Sequence, residues 1–81
     1  MNKNIHVQYF ALLREERGLS QEAIATRCEN ARELYLELKQ KFGFRLDAKF
    51  LRVAINNEFK SWDTPLNNND RVAFIPPVAG G

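Results

Sequence analysis

The segment NARELYLELKQKFG (residues 30–43) carries a complete set of signals for an amphipathic helix. Asn30 is a good N-cap, and Glu33 three residues later makes a capping-box pattern. Ala31, Leu34, Leu38 and Phe42 recur at three- and four-residue spacing, forming one apolar stripe. Lys39 and Lys41 fall in the last turn, where the helix dipole favours cations. Glu37 and Lys41 stand four apart in the better orientation, and Gly43 is suited to the left-handed residue that ends a helix. The spacing predicts a helix over Ala31–Phe42. One apolar stripe needs a second layer to cover it, and the remaining sequence must supply that layer.

The rest reads mostly as strands. Ile5–Ala11 alternates Ile5, Val7 and Tyr9 with His6, Gln8 and Phe10, which predicts a strand. LLREERGLS reads as a charged connection. Gln21–Thr26 is a second strand whose alanines leave it ambiguous with helix. Phe50–Asn56 predicts a strand with Leu51, Val53 and Ile55 on one face. NNE is a turn, Phe59–Trp62 a short return, and DTPLNNND is turn chemistry, with Asn69 expected at positive φ. Arg71–Ile75 is the last strand, and Pro76 removes the next ladder donor. Strands gathered around one principal helix predict an α+β domain over residues 1–75, with 76–81 as an extended tail.

At 81 residues the chain has room for one modest core. With 12 Lys+Arg against 10 Asp+Glu, it shows no basic stripe, so no nucleic-acid partner is expected. The single cysteine, Cys28, can form no intrachain disulfide and no metal site alone, which fits a reducing, cytoplasmic home. The start MNKNIHVQYF lacks the apolar stretch of a signal peptide. The longest near-apolar run, Val72–Ala79, is far too short to span a bilayer, so no membrane association is expected.

The most unusual stretch is IPPVAGG. Glycine makes up about 7% of ordinary sequence, so a terminal Gly-Gly arises by chance in only about 0.5% of chains. Pro76 and Pro77 hold an extended backbone. Gly80 and Gly81 lack Cβ atoms, so they can thread a narrow channel. The α-carboxylate of Gly81 is ionised and a poor electrophile at neutral pH, and adenylation would make it reactive.

The order and size of the elements resemble the ubiquitin-like β-grasp fold. YFALLRE, VAIN and DRVAFIPPVAGG resemble the small subunit of molybdopterin synthase, the MoaD-like sulfur carriers, over nearly the whole chain. One departure is NNND, where the family usually has an Asp-Gly-Asp turn. Asn69 stands in the glycine position and also tolerates positive φ.

The resemblance implies a sulfur carrier of molybdenum cofactor biosynthesis, a non-catalytic sulfur-donating subunit. Gly81, preceded by Gly80, would be adenylated and converted to a thiocarboxylate. It would then deliver sulfur to the cyclic pyranopterin phosphate inside the synthase. The implied partners are the large catalytic subunit of molybdopterin synthase and a ubiquitin-activating-enzyme-like adenylyltransferase. The latter would use ATP, and the carrier itself would bind no cofactor and no metal. Phe10, Phe59, Ile75, Pro76, Pro77, Val78 and Ala79 match positions where the family meets its partners. Phe10 remains open between an interface anchor and a residue packed under the helix. Three alternatives also stay open: a thiamine-pathway sulfur carrier, a ubiquitin-like protein modifier, and a β-grasp binding module with an inert tail.

Other residues carry weaker signals. His6 is the only histidine, so no catalytic His pair or triad exists, and it reads as a solvated strand residue. Cys28 lies between Arg27 and Glu29 just before the helix, a place that could lower a thiol pKa, but it has no partner in sequence and reads as incidental. Trp62 reads as packing. REER reads as a solvated connection, with Arg14 a candidate partner contact.

Overall fold

The computed structural model describes residues 2–77. The elements in chain order are β1 (Lys3–Tyr9), α1 (Ala11–Arg17), β2 (Gln21–Thr26), α2 (Ala31–Phe42), a 3-10 turn (Ala48–Phe50), β3 (Arg52–Ile55), β4 (Glu58–Lys60) and β5 (Arg71–Ile75). The strands form one mixed sheet in the order β2-β1-β5-β3-β4. β1 and β5 are parallel, with Val7 beside Val72 and Tyr9 beside Phe74. The other neighbours pair antiparallel. The α+β, β-grasp expectation holds: a mixed sheet packs on one main helix.

That helix has the expected bounds, and its ends are closed as the residues suggest. The Asn30 side chain accepts from the Glu33 amide at 2.9 Å. Glu33 returns the favour one residue early, accepting from the Glu29 amide at 2.9 Å. Gly43 sits at φ 72° and donates to Lys39 O at 2.8 Å. Ala31, Leu34, Tyr35 and Leu38 are buried against the sheet, and Phe42 is half-buried at the end of the stripe.

Alternation along the strands divides the sheet into two faces. Ile5, Val7, Tyr9, Val53, Ile55, Val72 and Phe74 point towards the helices and form the core with the α2 residues. Trp62 packs as expected, half-buried and stacked on Phe74 with centroids 6.0 Å apart at 9°. The Tyr35 hydroxyl stays satisfied inside this layer by donating to Leu46 O at 2.7 Å.

The turns follow backbone chemistry. Asn56 and Asn57 both have positive φ, 53° and 72°, which is the two-residue hairpin turn whose twist matches β3 and β4. The Asn56 amide also ties this turn to β5, donating to Asp70 Oδ1 at 2.9 Å and accepting from the Arg71 amide at 3.0 Å. Asn69 sits at φ 71°, so asparagine does accommodate the turn before the last strand.

Four expectations need correction. LLREERGLS is not an irregular connection: Ala11–Arg17 is helix, closed by Gly18 at φ 80°. Consequently β1 ends at Tyr9 and does not run to Ala11. Phe50 closes the 3-10 turn, so β3 starts only at Arg52 and ends at Ile55. The return strand is Glu58–Lys60 and stops short of Trp62.

The hidden helix α1 has one buried residue, Leu13, and therefore no stripe to detect. Seven residues are too few to be helical alone, so tertiary contacts hold it. Arg17 makes a two-pronged ion pair with Glu22 at 2.7 and 2.9 Å, and its guanidinium lies 4.0 Å from the Phe42 ring centroid. Glu16 pairs with Arg45.

Candidate functional site

β5 is the middle strand of the sheet, hydrogen-bonded to β1 on one side and β3 on the other. The chain that leaves its end therefore has a rigid root. The last register pair is Ile75 with Arg52, after which Pro76 offers no donor. Val78, Ala79, Gly80 and Gly81, the reactive tail in the sequence reading, lie outside the described residues.

At this root a groove of about 250 Å³ is lined by Phe50, Arg52, Phe59, Ile75, Pro76 and Pro77. Phe59, Ile75, Pro76 and Pro77 were expected in one surface, and they do meet here. Phe50 and Phe59 are 53% and 56% exposed, far more than a core aromatic. Phe50 and Arg52 were missed as site residues. Their signal was the strand period itself: Phe50, Arg52 and Ala54 occupy the positions between the buried Leu51, Val53 and Ile55.

Phe10 follows Tyr9, whose register partner is Phe74, so the parallel pairing brings Phe10 to the same sheet end as Ile75. It is 42% exposed, and the reading in which it packs under the helix does not hold. It is not among the residues that line the groove. The next residue, Ala11, adopts φ 51°, a left-handed conformation that is strained for a residue with a Cβ. This sharp bend turns the chain from β1 into α1 and leaves Phe10 at the corner.

Cations lie over the exposed aromatics. The Arg52 guanidinium is 4.0 Å from the Phe59 ring centroid, and Lys49 Nζ is 5.1 Å from that of Phe50. Such stacking favours the ring face and shields it from water.

Behind the sheet end, on the helix side, Tyr9, Glu22 and Arg17 form a closed polar unit. The Tyr9 hydroxyl donates to Glu22 Oε2 at 2.7 Å. Burial, then the bonded carboxylate, push the Tyr9 phenol well above its usual range. The Arg17 guanidinium holds the Glu22 carboxyl below its usual value. Both groups therefore keep one protonation state near neutrality, which suits a strut and not an acid–base catalyst. Burial raises the Cys28 thiol pKa, opposite to the lowering that its flanking cation could have caused, so the thiol is not activated there. Among the described residues no cluster of three His, Cys, Asp or Glu could hold a metal, and no helix is long and apolar enough to cross a membrane.

Comparison with known proteins agrees with this layout. The ThiS family model matches residues 7–81. The Escherichia coli (strain K12) molybdopterin synthase sulfur carrier subunit is 34% identical over 80 residues, covering 95% of this chain and 99% of that protein. The solved putative molybdopterin converting factor, subunit 1, from Pyrococcus furiosus superposes with a TM-score of 0.74 at 30% identity, over 94% of this chain and 99% of that one. A protein–protein complex of subunits 1 and 2 of the molybdopterin-converting factor from Helicobacter pylori 26695 matches at TM-score 0.65 and 25% identity, over 96% and 99%. With an exposed aromatic groove at the root of its central strand and a Gly-Gly pair in the sequence beyond, this chain belongs to the ThiS family.

Proposed function

We propose that this chain is the sulfur-carrying small subunit of a molybdopterin synthase, with the Gly81 carboxylate as its working group. One observation carries the reading: the family match runs through to Gly81, and the strand leading into that tail is the sheet's central one. The relatives named as sulfur carrier subunits support it.

The chemistry runs in four steps. An ATP-dependent adenylyltransferase joins the Gly81 carboxylate to AMP and releases pyrophosphate. A sulfide-level donor attacks the acyl carbon, AMP leaves, and a thiocarboxylate remains. In the large subunit, the thiocarboxylate sulfur forms a C–S bond to an oxygen-bearing carbon of the cyclic pyranopterin phosphate as that carbon's C–O bond breaks, the oxygen leaving as water or as the freed oxygen of the opened phosphate ester. Water then cleaves the carbonyl–sulfur bond, regenerating the Gly81 carboxylate and leaving sulfur on the pterin.

The carrier contributes positioning. The root strand is held from both sides as far as Phe74 and by β3 at Ile75, and the prolines extend the exit, which reduces the conformational freedom lost on docking. Phe59, Ile75 and Pro76 offer an apolar anchor beside that exit, with Phe10 at the adjacent corner. Such anchors characterise the energetic centre of protein interfaces.

The test is the intact mass after incubation with ATP, the adenylyltransferase and sulfide. Replacement of one oxygen by sulfur at the C-terminus is the expected product. One residue added after Gly81 moves the carboxyl by about 3.3–3.6 Å and abolishes sulfur transfer, with unchanged melting. Full transfer by the untrimmed extended chain refutes the assignment. Ladders of lysine conjugates formed with extract and ATP would instead favour a protein modifier.

A further inference from the structure

The groove at the tail root is one end of a larger surface. The register and alternation place Asn4, His6 and Gln8 of β1, Gln21, Ala23 and Ala25 of β2, and Arg52 and Ala54 of β3 on the sheet face away from the helices. Phe59 of β4 and Arg71, Ala73 and Ile75 of β5 share that face. None of the chain's 10 Asp and Glu residues occupies these positions, although Arg52 and Arg71 do. In a chain of net charge +2 this is a marked segregation. The strand carboxylates Glu22 and Glu58 alternate to the other face, where Glu22 is engaged by Arg17.

Two depressions share this open face. The apolar groove holds Arg52 over the Phe59 ring. A second hollow of about 270 Å³ is lined by His6, Gln8, Gln21 and Arg71. Ala54 and Ala73 pair across β3 and β5 between them, so the ground joining the two hollows carries only methyl groups. Both alanines are buried beneath the longer side chains around them, so a partner meets this stretch through those flanking side chains. Among the described residues neither Arg52 nor Arg71 has a salt-bridge partner.

We propose that the open sheet face docks as a single charge-coded surface onto an acidic protein face. That partner face carries an apolar side chain for the Phe59–Ile75–Pro76 groove, flanked by carboxylates that pair with Arg52 and Arg71. The inference rests on the carrier reading, and it adds the chemistry of the partner's contact surface. Arg52 has a gating part: it lies over one face of the otherwise exposed Phe59 ring in the free protein, and a partner carboxylate draws it aside as the apolar side chain enters. The second hollow, with donors from Arg71, Gln8 and Gln21, suits a carboxylate or a backbone carbonyl.

The experiment measures association of the full-length carrier with the large subunit of molybdopterin synthase by stopped-flow, across ionic strength. Arg52→Glu and Arg71→Glu each slow association about 10-fold or more at low salt, and the difference fades as the Debye length falls to about 3 Å near 1 M. Lys41→Glu, exposed on α2 at the helix side, stays near wild type, and thermal melts confirm that all three variants fold. Arg52→Lys retains most of the wild-type rate. Association that is independent of salt, or equal in all the variants, overturns the charge-coded surface while leaving the carrier reading intact. Failure of the wild-type chain to bind the large subunit at all overturns both. Preferential binding of a single-stranded oligonucleotide through Arg52 and Arg71 overturns the protein partner in favour of a nucleic-acid one.

Discussion

Leu13 is the only buried residue of α1, and it is fully buried, whereas its neighbour Leu12 is 37% exposed. Replacing a buried Leu by Ala removes the transfer free energy of the lost atoms and leaves a cavity, which costs about 2–5 kcal/mol. A value near 3 kcal/mol is expected for Leu13→Ala, because a one-residue anchor gives the seven-residue helix some freedom to settle. A domain of this size has about 4–12 kcal/mol in total. At about 4–8 °C per kcal/mol for small domains, the melting temperature should fall by about 12–24 °C. Leu12→Ala removes mostly exposed area and should cost about 0.5 kcal/mol or less. The link to function is Phe10, which sits at the corner that α1 holds. Hydrogen exchange on Leu13→Ala should show α1 amides losing protection before those of α2. Calorimetry on both variants checks the energetics. A Leu13→Ala melt within 5 °C of wild type (about 1 kcal/mol), or a larger loss for Leu12→Ala, refutes the view that one side chain pins this helix.

Three further outcomes follow from other parts of the molecule. Ala11→Gly should stabilise the fold by about 0.5–1 kcal/mol, since glycine relieves the left-handed strain at φ 51°; urea denaturation measures it, and a loss of stability contradicts the strain. Phe59→Asp should weaken large-subunit binding by about 2–5 kcal/mol in titration calorimetry while the melt barely moves, because the ring is exposed in the free chain. Glu22 has a carboxyl pKa depressed by Arg17, so its contribution to stability is present above the ordinary carboxylate range and is lost as pH falls through the lowered folded value. The stability gap between wild type and Glu22→Gln should therefore close in acid, and a gap that widens there contradicts the pairing.

Residues that speak for themselves locally were legible without the fold. The α2 signals, Asn30, the four-residue apolar stripe and Gly43, act within one or two turns, so their reading and the structure coincide. The same holds for Asn69, whose tolerance of positive φ is a property of its own side chain, whereas Gln21–Thr26, ambiguous with helix in sequence, is made a strand by its pairing with β1. The resemblance in PPVAGG likewise needed only the order of residues. What tertiary structure alone decided depends on groups distant in sequence. α1 is too short to persist alone and exists because Leu13, Arg17 and Glu16 find partners in the core, at Glu22 and at Arg45. The strand period could say that Phe50 and Arg52 fall on the face opposite Leu51, Val53 and Ile55, but not which face the helix would cover. That choice came from packing α2 on the larger β-branched and aromatic side chains, which left Phe59, Arg52, Arg71 and Ile75 together on the open side. The placement of the last strand at the sheet's centre, parallel to the first, is a long-range pairing whose cost is loop closure and whose reward is burial on one face and hydrogen bonds on both edges. No local pattern encodes it, and it is what gives the Gly-Gly tail a fixed point of departure.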